Sequence, residues 1–95
     1  MFAKRANPNA LPPPSVADAD TRAVEVLRVW ASPGQAQQLV LRPTWKDAAA
    51  WGLLLVDVAR HAADAYAREG NDRAATLARI KAGFDAEWSN PTNGS

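Results

Sequence analysis

AVEVLRVWASPGQAQQLVLRP, residues 23–43, decides the fold. Its first eight residues hold three valines and Trp30, a density of β-branched and aromatic side chains that suits a pleated strand. QQLVLRP, residues 37–43, is a second short apolar run. A helix competes for the first run, since Asp20 is placed to cap it and Glu25 and Arg28 stand three apart. The intervening ASPGQA favours strands: Pro33 has the fixed φ of a turn's second position, and Gly34 accepts the positive φ that a type II turn needs at its third. The expectation is a β-hairpin. A pivot between Pro33 and Gly34 sets Glu25 opposite Arg42, Val26 opposite Leu41, Leu27 opposite Val40 and Arg28 opposite Leu39. One face then carries Val24, Val26, Trp30, Leu39 and Leu41 around Arg28. The other carries Leu27, Val29 and Val40, edged by Glu25, Gln38 and Arg42, so neither face is plainly the wet one.

Two helices are expected after the hairpin. Asp47 is a candidate N-cap, residues 48–69 contain no proline, and Gly70 supplies a left-handed stop, giving a helix about 33 Å long. Asn71 is the expected cap of a second helix over 72–88, which ends ahead of Pro91. Leu77, Ile80, Phe84 and Trp88 form the stripe of the second helix. The first has a broader arc, with Trp51, Leu54, Leu55, Val58, Ala62, Ala65 and Tyr66 at its centre and Leu53 and Val56 extending it. The fold class is therefore α+β, a β-hairpin followed by two antiparallel α-helices (ββαα) that cover one side of the sheet. Ahead of it, residues 1–19, with Pro12, Pro13 and Pro14 in a row, read as a flexible arm with a polyproline II piece. Residues 20–89 are the single domain and 90–95 a disordered tail.

Composition bounds the chemistry. The 95 residues are 47% hydrophobic and 22% charged, with a formal net charge of +1. That is the texture of one globular domain. Eleven basic and ten acidic residues are interleaved, which argues against nucleic acid as a partner. The chain has no cysteine, excluding disulfides and thiolate metal sites and fitting a cytoplasmic location. No run of apolar residues is long enough to cross a membrane, so no membrane partner is expected.

The only histidine, His61, lies on a helical stripe with Asp57, Arg60, Asp64 and Arg68. Steps of three and four with alternating charge stabilise a helix by a few tenths of a kcal/mol per pair. The stripe reads as a solvated ladder whose guanidinium groups compete for the carboxylates, rather than as a metal or acid-base site. The serines fall in loops without a positioned base. The glycines are scattered, with no phosphate loop. No catalytic residue, metal ligand or cofactor is expected. Of the four tryptophans, Trp30, Trp51 and Trp88 sit where rings fill cores, while Trp45 stands at the helix start, free to staple it or to meet a partner. Arg28 is expected to stack on a ring.

VEVLRVW, the turn, and WKDAAAWGLLLVDVARHAADAYA are similar to an uncharacterised family of small bacterial proteins, a domain of unknown function, over about residues 9–88. WGLLLVDVARH is the most specific part. The resemblance implies a self-contained bacterial domain and carries over no functional residue.

Two helices cover only one side of a two-stranded sheet, so the other side needs a partner, most simply a second copy of the chain. Leu27, Val29, Val40, Leu53 and Val56 are the candidate interface. The leading reading is a non-enzymatic interaction or accessory module that forms a homodimer, with room for an unidentified protein partner. The alternative is a small-molecule-binding domain, with Arg28, Trp30 and Trp45 lining a pocket between hairpin and helices. An enzyme using Asp57, His61 and Asp64 comes third.

Overall fold

The structure is a computed structural model that describes residues 7–92. Val16–Ala19 form one helical turn, α1, which closes on the carbonyls of Pro14, Ser15 and Val16. Residues 1–6 of the expected arm and 93–95 of the expected tail lie outside the described residues. The described part of that tail folds back, with the Thr92 amide and hydroxyl donating to the Glu87 carboxylate at 2.7 and 3.0 Å.

Asp20 caps no following helix. Its carboxylate accepts from the Arg22 amide at 2.9 Å, and the chain then runs extended into β1 (Leu27–Trp30), paired antiparallel with β2 (Gln38–Leu41). The Gln35 amide donates to the Ser32 carbonyl at 3.1 Å, with Gly34 at φ +75°, so the type II turn stands where Pro33 and Gly34 place it. The register differs from expectation by one residue: Leu27 faces Leu41, Arg28 faces Val40, Val29 faces Leu39, and Trp30 faces Gln38. A type II turn splays the strands it joins, because its twist opposes theirs. One residue, Ala31, separates turn from ladder on the first side, and two, Ala36 and Gln37, on the second. That extra residue produces the slip.

A one-residue slip re-sorts every side chain. Leu27, Val29, Leu39 and Leu41 now share one wholly aliphatic face, while Arg28, Trp30, Gln38 and Val40 share the other. Glu25 does not meet Arg42; it pairs with Arg28 at 2.7 Å.

The hairpin leads to α2 (Ala49–Arg68) through a sharp corner. Thr44 holds φ +62°, a left-handed value that a β-branched residue rarely adopts. The Pro43 carbonyl accepts from the Trp45 amide at 2.6 Å, closing a three-residue γ-turn. It also accepts from the Trp51 indole N–H at 3.0 Å, which ties the corner to the first turn of α2. Asp47 accepts from the Ala49 amide at 2.9 Å, one position outside the formal cap.

At its other end α2 stops in a Schellman arrangement. The Asn71 amide donates to the Tyr66 carbonyl and the Gly70 amide to the Ala67 carbonyl, with Gly70 at φ +100°. The cap of α3 (Arg73–Ser89) is Asp72, whose carboxylate accepts from the Ala75 amide at 2.8 Å. Asn71, expected in that role, instead donates its side-chain amide to the Tyr66 carbonyl. The chain thus turns back on itself as the ββαα order requires.

One expectation about packing fails. Among the described residues no strand Cα comes within 8 Å of a helix, and no hairpin side chain is buried. The helices therefore pack on each other and not on the sheet. The one buried residue among those described is Ala63, at the α2–α3 contact. Cover fades away from the turn: Leu77 and Ile80 are half-buried, while Phe84 and Trp88, stacked at 5.6 Å, lie exposed.

Candidate functional site

Successive helical residues turn by about 100°, so three stripes can share one helix. In α2 they are distinct. Val56, Ala59, Ala63 and Ala67 look toward α3, on the line marked by buried Ala63. Asp57, Arg60, His61, Asp64 and Arg68 form the charged stripe. Leu54, which is nine residues before Ala63 and so about half a turn round, joins Trp51, Leu55, Val58, Ala62 and Ala65 in an apolar ridge. Leu55 and Val58 on that ridge are about half-exposed.

The charged stripe is only partly a ladder. Asp64 reaches across the interhelical turn to Arg73, Nε to Oδ1 at 2.5 Å, rather than to Arg60 or Arg68. That hydrogen bond, with the positive charge behind it, holds the Asp64 carboxyl below its ordinary value. His61 places Nδ1 2.8 Å from the Asp57 carbonyl oxygen, one turn back in its own helix. Among the described residues no three His, Asp or Glu side chains converge as metal ligands. Asp20 is also held below its ordinary value, first by the Arg22 amide and then by the Arg22 guanidinium, a local loop interaction.

The residues expected to line a ligand pocket are not brought together. Arg28 is engaged by Glu25 rather than stacked on a ring. Trp30 borders a shallow depression with Ser32, Gln35 and Gln38 at the turn end of the hairpin. Trp45 meets Trp51 edge to face, centroids 5.6 Å apart and planes at 73°. It staples the start of α2. Of the rings expected to fill a core, Trp51 alone is half-buried; Trp30 is exposed and Trp88 is 76% exposed.

The candidate interface residues divide by face. Leu27 and Val29 lie on the aliphatic face of the hairpin, and Val40, 68% exposed, on the other. Leu53, 71% exposed, borders the charged stripe of α2, and Val56 lies on the α3 line beyond the part that α3 covers. Two surfaces emerge, the first assembled differently from the sequence expectation and the second lying within the apolar arc expected of α2. One is the four-residue aliphatic face that takes Leu39 and Leu41 in place of Val40. The other is the ridge at Leu54, Leu55 and Val58. A turn with unequal spacers was the signal for the first; the apolar spacing of α2 already contained the second.

The family described as Domain of unknown function (DUF5076) matches residues 10–92. Among solved structures, a "putative pyruvate dehydrogenase from the photosynthetic bacterium Rhodopseudomonas palustrus CGA009" is 39% identical, with 96% of this chain and 94% of that chain covered and a TM-score of 0.76. No curated protein matches the chain. Among the described residues no helix is long and apolar enough to cross a membrane.

Proposed function

We propose, for a chain that belongs to the DUF5076 family of domains of unknown function, that it is a non-enzymatic association module whose working form contains at least two copies. The observation that carries this reading is uncovered surface. A compact protein of 10.2 kDa exposes about 5,300 Å², whereas this chain exposes 8742 Å². Counting the nine residues outside the described range at the unfolded-chain rate, about 1,400 Å², still leaves an excess of about 2,000 Å². Two copies covering that much each would bury an area in the obligate class, well above the roughly 800 Å² per partner of an ordinary complex. Residues 7–22, exposed almost throughout, contribute to that excess, as do the exposed aliphatic side chains of the hairpin and α2.

The side chains of the enzymatic alternative are otherwise engaged, Asp64 by Arg73 and His61 by a backbone carbonyl. Sedimentation velocity at micromolar concentration tests the reading directly. A species of twice the chain mass or more is expected, and a compact monomer at every concentration overturns it.

A further inference from the structure

We propose that the hairpin of one copy lies across helix α2 of a second copy, its aliphatic face over the Leu54–Leu55–Val58 ridge, and that the exchange is reciprocal. The inference rests on the self-association reading and adds which surface meets which.

Three observations select this arrangement. First, the hairpin is held off its own helices. The Thr44 γ-turn and the Trp51 indole bond to the Pro43 carbonyl fix the corner between them, and no strand Cα approaches α2 or α3 within 8 Å. Second, the two surfaces match in chemistry and length. Leu27, Val29, Leu39 and Leu41 include no charge, and the middle of the ridge lies about 70° round α2 from His61 and about 90° from Ala59, the nearest residues of the charged stripe and of the α3 line. A four-residue strand spans about 13 Å, and Leu54 to Ala65 along α2 spans about 16 Å. Third, two-fold symmetry makes each contact occur twice. Hairpin face on hairpin face leaves both ridges bare, and ridge on ridge leaves both hairpins bare. Edge-to-edge pairing of strands would cover neither surface. Only the crossed arrangement covers both with a single contact.

The native chain has no cysteine, so engineered thiols report contacts without background. Val29→Cys and Val58→Cys chains are refolded together and equilibrated in a glutathione buffer, with Leu39→Cys and Leu55→Cys as a second pair in case the first perturbs folding. A disulfide requires Cα atoms within about 7 Å, so the mixed disulfide should exceed either self-linked product by about tenfold. A double Val29→Cys/Val58→Cys chain should give a covalent dimer on a non-reducing gel. Self-linked Val29→Cys or Val58→Cys dimers in equal or greater yield overturn the crossed arrangement, as does an intrachain disulfide in the double variant. Sedimentation of the unmodified chain separates the two claims: a dimer without the mixed link sinks this inference alone, and a monomer sinks the association reading with it.

Discussion

At the scale of single residues, the Asp64–Arg73 pair shows what local rules miss. Helical spacing offered Asp64 two partners, Arg60 and Arg68, and the structure uses neither, because the turn at Gly70–Asp72 brings Arg73 closer. Only the path of the chain after α2 reveals that partner, and no i,i+4 rule contains it. Folding lowers the pKa of Asp64, so the stability this pair contributes is present in full above the unfolded value near 3.8 and is lost as pH falls through the folded value. Asp64→Asn should therefore flatten the acid limb of a pH-dependent denaturation curve while leaving the neutral region parallel to wild type. An unchanged acid limb would remove the pair from the account of stability. Thr44 is a second case, for nothing about a threonine between proline and tryptophan announces a left-handed backbone.

At the scale of elements, the sequence was most readable where a single residue type has one physical use. Pro33 and Gly34 named their turn, Gly70 the end of α2, and proline-free amphipathic runs the two helices. Register was less readable, since it depends on how many residues separate turn from ladder, and neither propensity nor charge pairing counts them. The cap of α3 was off by one because Asn71 and Asp72 are both good caps; the amide of Asn71 was needed by the Schellman stop instead. Gly70 gives the clearest test at this scale. Nothing lies within 4 Å of the position a Cβ would take, and φ is +100°, so Gly70→Ala introduces backbone strain without a clash. It should cost about 1 kcal/mol in urea denaturation. No loss would mean that the turn relaxes freely.

At the scale of the molecule, the hydrophobic pattern announced more apolar surface than one chain conceals, but not where it would lie. The radius of gyration is 16.0 Å, against about 12 Å for a compact chain of this length. The expectation that the helices fold over the sheet failed because the corner at Thr44, with its left-handed backbone, directs the strands elsewhere, a local conformation that composition does not encode. If association completes the fold, stability depends on concentration, and each tenfold dilution should remove about 1.4 kcal/mol per dimer. Calorimetry across a hundredfold dilution should show the melting temperature falling; a constant value would mean that the lone chain is already complete.

Among the described residues the pairings between elements join only neighbours along the chain, strand to next strand and helix to next helix. Such short-range elements form within microseconds of synthesis, so little in the protein's maturation waits on distant parts of one polypeptide finding each other. If association completes the fold as proposed, the slow event is the encounter between two finished halves made on different ribosomes, and the abundance of the protein in its cell then sets how soon it becomes whole.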